Sequence, residues 1–379
     1  MTKPSSPSAA PGAPRLADPP PARLRPARRT LPCPGRRVLP RGGGAILLGA
    51  AALACALTLA ACGAKQDTIN PPGLKRFTVM LDWFPNADHA PLYAAIANGD
   101  FHAVGLDVQP VVPAESAEPL KLLAAGKVDA AISYEPQLLL ARDEGLKLVS
   151  IGALVQRPLT SIIALPKQHV TSVASLAGKK VGTAGIPYQA AELKTALQSA
   201  GVNPAKTQEV NVGFNLVPAM LSGKVAATLG GFWNYEAVQL QLLHKHPTVI
   251  PINEAGVPTY DELVLVVRQE EAHHDGQDLR AFMQALTRGE RAVRANPAAA
   301  AKLIVAANPS LEERLQLESI KRTLPAAQPT EAGRPFGYQD PAQWAAFGQW
   351  MYTRGLLRSN PNAAGLPPFT NEYLPGEGI

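Results

Sequence analysis

After residue 75, short apolar segments alternate regularly with helical segments, and this alternation constrains the fold more than any other feature of the sequence. The first such pair is the β-prone segment 77–81 and the helical segment 90–97, which stops at Asn98-Gly99. The alternation starts again at residues 175–182 and continues to the apolar segment 263–267. Short, glycine-marked links between such segments are typical of βαβ units. The sequence therefore predicts mostly parallel sheets flanked by helices.

Beyond Gly276 the pattern becomes almost purely helical, with apolar positions at a period of 3.6 residues. Two α/β units, a chain that crosses between them twice and a helical tail are typical of the type II periplasmic-binding-protein fold, which holds its ligand in a cleft between two lobes. We predict that residues 75–165 and 262–379 form the first lobe and residues 166–261 the second. The predicted crossings lie near Leu165-Pro166 and at residues 257–261. Rossmann-type enzymes share the alternation, so the pattern alone does not identify the fold.

The first 61 residues have the character of a leader and lipoprotein signal peptide. Nine of the 36 basic residues and one of the 30 acidic residues lie there, so the rest of the chain has a net charge of −2 although the whole chain has +6. Nucleic-acid binding therefore has no electrostatic support. Arg36, Arg37 and Arg41 precede an apolar run at residues 45–61, which matches the signal-peptide pattern. The alternative is a membrane-spanning helix, but the run is short for about 30 Å of hydrocarbon.

The end of this run, Leu59-Ala60-Ala61-Cys62-Gly63, resembles the lipobox of bacterial lipoproteins. The resemblance implies cleavage before Cys62, attachment of a lipid to its thiol, and a tether over residues 62–74. The other cysteines, Cys33 and Cys55, precede the cleavage point, which argues against a disulfide scaffold, a cysteine metal site and a cysteine nucleophile in the mature chain. We expect a protein in the periplasm or at the cell surface, anchored to a bacterial membrane. The choice between inner and outer membrane stays open.

Five groups of residues share one further resemblance. They are Leu81-Asp82-Trp83-Phe84-Pro85-Asn86-Ala87-Asp88-His89; Gly126-Lys127-Val128-Asp129 with Ser133-Tyr134-Glu135-Pro136-Gln137; Gly230-Gly231-Phe232-Trp233-Asn234-Tyr235-Glu236; Thr259-Tyr260-Asp261-Glu262-Leu263; and Thr370-Asn371-Glu372-Tyr373-Leu374. In this order they resemble the binding proteins for thiamin pyrimidine precursors, a family that includes fungal pyrimidine-synthesis enzymes. The resemblance covers residues 75–375. It implies a small heteroaromatic solute, and a permease and an ATPase of an ABC importer as partners.

In the first lobe, the candidate site begins directly after the first predicted strand. Trp83 lies at the carboxyl edge, where open α/β sheets bind their ligands, and its indole can stack on a flat ring. Asn86 and Asp88 have side chains that can cap the next helix, and for Asp88 we prefer this capping role. Asn86 is also a candidate ligand-binding residue. For His89 two interpretations stay open: its side chain donates a hydrogen bond to a ligand, or it satisfies the unpaired backbone groups at the start of the helix.

Another strand-to-helix junction carries Tyr134 and Glu135, both predicted to bind ligand. Glu135 either accepts hydrogen bonds from an exocyclic amine or lies in a solvated first helical turn. In the second lobe, the glycine-rich turn before Tyr188 permits close approach of the backbone at Gly185, and Tyr188 offers a second stacking face. The alternative for this segment is an ordinary βα turn, and it does not match a dinucleotide fingerprint.

The next second-lobe junction contributes Trp233, Asn234 and Glu236, and the hinge contributes Asp261. Trp233 is as much a core candidate as a ligand contact. Asn234 and Glu236 are better candidates, because an amide or a carboxylate complements the alternating donors and acceptors of an aminopyrimidine edge. We therefore expect residues of both lobes to converge on one cleft that closes around a small solute.

Catalysis is the main alternative of another class, because the fungal members of the resembled family are enzymes. They build the pyrimidine from pyridoxal phosphate and their own histidine. Aligned from Gly126-Lys127-Val128-Asp129, their cofactor lysine falls at Ser133 and their histidine at Gln137, and their cysteine-rich iron segment falls at residues 256–263, which contain no cysteine. Without the amine no Schiff base forms. We therefore expect a binding protein with no cofactor rather than an enzyme.

Binding proteins for other solutes are the second alternative. Sulfonate and nitrate binders need cationic or hydroxyl donors around the anion. Aromatic, amide and carboxylate residues instead suit a formylaminopyrimidine or hydroxymethylpyrimidine, while riboflavin or another flavin, and a sensor role at a receptor, stay open. We expect a monomer. We also expect no metal site, because the pairs His244/His246 and His273/His274 lack the spacing of metal ligands.

Overall fold

The computed structural model describes residues 73–363, 365 and 367–376. The predicted leader, the lipidation site Cys62 and most of the predicted tether lie outside these residues. The described chain contains two five-stranded sheets flanked by helices, which confirms the predicted two-lobed α/β architecture. No helix among the described residues is long and apolar enough to cross a membrane.

The two sheets have the same topology. In spatial order, the first sheet contains β2 (Leu106–Val111), β1 (Lys75–Met80), β3 (Ala130–Ser133), β10 (Leu263–Arg268) and β4 (Leu148–Val155). The second contains β7 (Gln208–Asn211), β6 (Lys180–Thr183), β8 (Ala227–Phe232), β5 (Thr160–Ala164) and β9 (Thr248–Pro251). In each sheet one strand, β10 or β5, is antiparallel to both of its neighbours, and the other four run in one direction.

Helices cover the sheets. Those that belong to the first lobe are α1 (Ala90–Ala97), α2 (Pro119–Ala124) and α3 (Glu135–Asp143); those of the second lobe are α4 (Pro187–Ser199), α5 (Leu216–Ser222) and α6 (Glu236–Leu242). The C-terminal part adds α7 (Gln269–His274), α8 (Gly276–Ala295), α9 (Pro297–Ala307), α10 (Glu313–Thr323) and α11 (Pro341–Thr353).

The strand β10 shows why the sequence folds in this way. All of its residues from Leu263 to Val267 are buried, because β10 lies inside the first sheet between β3 and β4. A strand covered on both faces has a continuous apolar sequence rather than an alternating one. The outer edge of β4 is covered as well, since Ser150 pairs with Phe369 of the C-terminal segment.

Helix α8 fixes the C-terminal part on the first lobe through a close contact with α1. A Cβ atom on Gly289 would lie 2.1 Å from the carbonyl oxygen of Pro91 and 2.8 Å from Cβ of Ala95. Only glycine fits at this contact, so the two helix backbones approach more closely than any larger residue would allow.

The first crossing lies earlier than the sequence predicts. Strand β5 pairs with β8 and β9 of the second sheet, so the chain changes sheets between Val155 and Thr160 rather than near Leu165-Pro166. Both flanking segments are apolar and β-prone, and periodicity does not tell which sheet a strand joins. The second crossing, between β9 and β10, contains the predicted residues 257–261.

One carboxylate joins the two crossings. Glu262 accepts hydrogen bonds from the backbone N–H groups of Leu159 and Thr160, at 2.6 and 2.7 Å, and from the Thr160 hydroxyl at 3.0 Å. Glu262 lies on the second crossing and its donors on the first, so this side chain holds the two segments of the hinge together. Burial raises the pKa of Glu262 to about 7.

Candidate ligand-binding site

The cleft between the lobes is closed in this structure to a cavity of about 20 Å³, and the loops that follow the carboxyl ends of the strands line it. Its first-lobe residues are Asp82, Trp83, Asn86, Asp88 and Tyr134; its second-lobe residues are Ile186, Tyr188, Gln189, Leu216, Gly230, Phe232, Tyr235 and Glu236. The position agrees with the general rule that open α/β sheets bind ligands beyond the carboxyl ends of their strands. Five predicted residues line the cavity: Trp83, Asn86, Tyr134, Tyr188 and Glu236.

Aromatic rings from the two lobes meet at the cavity. The indole of Trp83 lies edge-to-face with Phe214 of the second lobe, with ring centroids 4.3 Å apart and an interplanar angle of 84°. Tyr134 and Tyr188 form another pair across the lobes, with centroids 5.6 Å apart. Among the described residues, the buried Nε1 of Trp83 has no hydrogen-bond partner. The buried hydroxyl of Tyr188 has none in the described chain either, so the site combines flat apolar surfaces with two unpartnered buried donors.

A hydrogen-bonded network fixes the loop that carries Trp83. The backbone N–H of Asn86 donates to Nδ1 of His89 at 3.2 Å, so the hydrogen of the imidazole is on Nε2, which donates to Asp82 at 2.8 Å. The hydroxyl of Tyr134 donates to the other oxygen of Asp82 at 2.8 Å. Both ring nitrogens of His89 are thus used within the protein, as in the interpretation that His89 satisfies the helix start. The Asn86 side chain caps the turn by accepting from Asp88 N–H at 2.8 Å.

The side chain of Asp88 is not a helix cap but a contact between elements. It accepts hydrogen bonds from Nδ2 of Asn234 at 2.6 Å and from the hydroxyl of Thr323 at 2.8 Å. Burial raises the pKa of Asp88 to about 6, although these donors act in the opposite direction. Asn234 belongs to the second lobe, so Asp88 links the lobes directly.

Glu236 is the second-lobe carboxylate of the cavity. It accepts a hydrogen bond from the backbone N–H of Phe232 at 2.8 Å, and burial raises its pKa to about 7. The described residues that line the cavity include no lysine and no arginine. With Asp82, Asp88 and Glu236 in its wall, the cavity is suited to hydrogen-bond donors and unfavourable for anions.

Two predicted residues, Glu135 and Asp261, lie in the hinge instead of the cavity. Glu135 accepts from the backbone N–H of Asp261 at 2.7 Å, and the carboxylate of Asp261 accepts from the indole N–H of Trp344 at 2.8 Å. Burial raises the pKa of Glu135 well above its ordinary value and that of Asp261 to about 7. These side chains connect α3, the second crossing and α11.

The remaining predicted residues also lie outside the cavity wall. Trp233 donates through its indole N–H to the carbonyl of Pro158 in the first crossing, at 3.0 Å. Gly185 has a φ of +78° and lies against Asn211 at the rim of the cleft. Asn234 is completely buried and directs its amide group to Asp88 and Thr323.

Sequence reasoning missed Gln189 and Thr323. Gln189 lines the cavity and accepts from Ala184 N–H at 2.9 Å, and a Cβ atom on Gly230 would lie only 2.2 Å from its Nε2. The two glycines before Phe232 were a usable signal for this close approach. Thr323 had no local signal, because its role depends on contacts with residues far away in the sequence.

Comparisons with known proteins agree with this architecture. The sequence model of the family described as "NMT1/THI5 like" matches residues 86–300. The formylaminopyrimidine-binding protein of Halalkalibacterium halodurans is 35% identical over 301 residues, which cover 78% of this chain and 90% of that protein. A putative thiamine biosynthesis protein of Haemophilus influenzae is also 35% identical over 301 residues, covering 79% and 92% of the two chains.

More distant relatives include enzymes. A Saccharomyces cerevisiae 4-amino-5-hydroxymethyl-2-methylpyrimidine phosphate synthase, THI13, is 23% identical over 316 residues, 79% of this chain and 88% of that protein. Among solved structures, the alkanesulfonate-binding protein SsuA of Xanthomonas axonopodis pv. citri aligns with a TM-score of 0.60 and 17% identity, covering 76% of this chain and 96% of that one. This likeness concerns the fold, which is that of periplasmic binding proteins. On the evidence of the matched residues and of the 35% identical relatives, the chain belongs to the NMT1/THI5-like family.

Proposed function

We propose that this protein is a solute-binding protein that takes up an amine-bearing heteroaromatic ring of the formylaminopyrimidine or hydroxymethylpyrimidine type. The observation that carries the proposal is the cavity between the lobes, where aromatic side chains and carboxylates meet without a lysine or arginine among the described lining residues. The relative named for formylaminopyrimidine binding supports the same class of solute.

Each group of the cavity has a chemical task in this proposal. Trp83 and Tyr188 supply faces against which a planar ring stacks, a contact worth about 0.5–1.5 kcal/mol beyond the burial of its area. Glu236 accepts hydrogen bonds from an exocyclic amine, and the indole N–H of Trp83 donates to a ring nitrogen or a formyl oxygen. A donor from the ligand favours the ionised form of Glu236 and so lowers its raised pKa.

Anionic solutes are disfavoured by the same wall. A sulfonate or a nitrate would enter a space that already contains three carboxylates, and like charges in a poorly solvated space repel each other strongly. The structural likeness to an alkanesulfonate-binding protein therefore does not extend to the solute in this proposal. A flavin, which would also stack on Trp83, is the second candidate solute.

We infer that the protein is not an enzyme, although some relatives are synthases. The position of the family's cofactor lysine is occupied by Ser133 and that of its histidine by Gln137. Ser133 is buried at the end of β3. Its hydroxyl has no nitrogen with which to form a Schiff base.

The proposal includes export and delivery. The pattern around Cys62 supports a lipid-anchored protein in the periplasm or at the cell surface, which presents its solute to an ABC permease coupled to an ATPase. Labelling of cells with a radioactive fatty acid tests the anchor, because Cys62→Ser should abolish incorporation. Label retained in that variant would contradict the lipidation of Cys62.

Calorimetric titration of the full-length protein tests the solute. Formylaminopyrimidine should bind with 1:1 stoichiometry, whereas taurine and nitrate should give no heat of binding. Trp83→Ala should weaken pyrimidine binding at least tenfold, since it removes a stacking face and a donor. Trp350→Ala, which removes an indole from α11 outside the cavity, is the matched control.

Binding of riboflavin without binding of the pyrimidine would keep the cavity as the site and change the solute. Binding of taurine or nitrate, or an equal loss of affinity in Trp83→Ala and Trp350→Ala, would contradict the proposed site.

A further inference from the structure

Helix α10 packs on the first lobe but bonds to the second. Its neighbours in the first lobe are α9 and the turn Ala87–His89. In the second lobe, it shares an apolar cluster with Tyr235 and Val238. It also makes three hydrogen bonds there: Gln316 Nε2 donates to the hydroxyl of Tyr235 at 3.1 Å, Arg322 donates to the Gln241 side chain at 2.8 Å, and Asn234 donates to the Thr323 hydroxyl at 2.6 Å. No other C-terminal helix of the described chain has such a row of side-chain bonds to α6 and the residues just before it.

The hydroxyl of Thr323 is the centre of these contacts. It lies 2.8 Å from Asp88 in the wall of the cavity and 3.0 Å from the carbonyl oxygen of Ser319, one turn earlier in α10. Asn234 donates both to this hydroxyl and to Asp88, each at 2.6 Å. Three elements therefore meet in one buried hydrogen-bonded ring: the first-lobe loop, the second-lobe loop and the C-terminal helix.

The surface that α10 turns toward the second lobe carries a row of polar side chains beside the apolar residues Leu315 and Ile320. Gln316, Ser319 and Thr323 lie on one face at helical spacing, and all three are buried. Among the described residues, the Oδ1 of Asn234, the Oε1 of Gln316 and the hydroxyl of Ser319 have no hydrogen-bond partner in this closed arrangement. Separation of the surfaces would expose these atoms to water, which satisfies them.

We propose that α10 is a latch between the lobes, in which Thr323 is a positioning residue that sets how fast the closed protein opens. The latch holds Asp88 in place at the cavity wall and adds hydrogen bonds that exist only when the lobes meet. Ligand contacts and latch contacts then favour the same closed state, so loss of the latch shortens the lifetime of the complex. The ligand part of this inference rests on the proposed function; the closure part does not.

The variant Thr323→Val tests the latch, because valine keeps the shape of the side chain and removes the hydroxyl. Thr287→Val is a closely matched control: Thr287 is also buried in a helix, and its hydroxyl donates to the carbonyl of Met283 one turn earlier, within the C-terminal part of the first lobe. Both variants remove a buried hydroxyl that lies within hydrogen-bonding distance of the carbonyl oxygen four residues earlier in its helix, but only Thr323→Val loses the contact between lobes.

Two measurements on the full-length protein distinguish these variants. The first is the dissociation rate of formylaminopyrimidine, followed by tryptophan fluorescence in stopped flow. The second is the distance between nitroxide labels on cysteines introduced at Lys127 in the first lobe and Lys206 in the second, both exposed, with the native cysteines replaced by serine. Electron–electron resonance gives that distance distribution with and without the pyrimidine.

We expect Thr323→Val to accelerate dissociation about three- to tenfold, with little change in the association rate, and to move the distance distribution toward longer values. Thr287→Val should match the wild type in both measurements. Equal effects of the two variants, or no effect of Thr323→Val, would overturn the latch. If no pyrimidine binds, the proposed solute is wrong, and the label-to-label distances measured without ligand decide alone whether the latch exists. A wild-type protein whose lobes stay apart, or a Thr323→Val distribution equal to that of the wild type, would then overturn the latch as well.

Discussion

Replacement of Glu236 by glutamine should stabilise the protein in a pH-dependent way while it weakens ligand binding. Burial raises the pKa of Glu236 to about 7 from an ordinary value of 4.5. A difference of about 2.5 between the folded and unfolded pKa values corresponds to roughly 3 kcal/mol, at 1.36 kcal/mol for each pKa unit.

The sign follows from which state holds the proton more tightly. The folded pKa is the higher one, so the folded chain binds the proton better, and ionisation of Glu236 lowers the free energy of unfolding. This destabilisation is absent below about pH 4.5, grows as the pH rises, and is complete above about pH 7. Glutamine does not ionise, and its side-chain oxygen can still accept from the Phe232 N–H that now bonds to Glu236.

Urea denaturation of wild type and Glu236→Gln, followed by circular dichroism at several pH values from 4.5 to 8, measures the effect. The free energy of unfolding of the variant, relative to wild type, should rise by roughly 3 kcal/mol across this range. The other buried acids titrate in both proteins and largely cancel in the difference, apart from the repulsion between Glu236 and its neighbours Asp88 and Asp82. Glu254→Gln, at an exposed position, is the control and should leave the pH dependence unchanged. Parallel curves for wild type and Glu236→Gln would refute the argument.

Two further predictions concern the hinge and the helix packing. Glu262→Ala should lower the free energy of unfolding at pH 7 by about 2–4 kcal/mol, because it leaves the buried Leu159 and Thr160 N–H groups without their acceptor; a loss as small as that of Glu254→Ala in urea denaturation would contradict the hinge role. Gly289→Ala should cost about 1–3 kcal/mol, since the added methyl group meets Pro91 and Ala95. Gly276→Ala, whose methyl group finds Tyr373 at an ordinary 3.4 Å, should be neutral or slightly stabilising in thermal denaturation, and equal effects of the two would argue against the tight contact of α8 with α1.

The sequence predicted the architecture well, because hydrophobic periodicity and glycine-marked turns are local signals. It placed the candidate residues at strand-to-helix junctions, and Trp83, Tyr188 and Glu236 indeed lie in the cavity wall. The errors concern which strand joins which sheet. Strand β5 follows β4 after only four residues and still belongs to the other lobe, a choice that depends on pairing with β8 and β9 far along the chain.

Within the site, local sequence signals predicted which residues lie near the cavity better than they predicted where the side chains of these residues point. Tyr134 and Glu135 are neighbours in the sequence, but Tyr134 faces the cavity while Glu135 bonds to Asp261, 126 residues away. Asn234 and Glu236 follow the same strand, yet the amide of Asn234 turns to Asp88 and Thr323. Such directions are decided by distant partners, so one sequence read locally could not supply them.

The composition of the cavity wall links the stability of the protein to the class of solute that we propose. The carboxylates of Asp88 and Glu236 accept hydrogen bonds from neutral groups, namely an amide, a hydroxyl and a backbone N–H. Neutral donors reduce the cost of burying a charge but do not cancel the charge, so the pKa values of both carboxyl groups stay raised. A solute with exocyclic amine groups supplies the missing donors to these carboxylates, whereas an anion increases the repulsion. Under the proposed function, the cost of burying these carboxylates therefore also selects the solute, and Glu236→Gln should weaken this selection while it stabilises the fold.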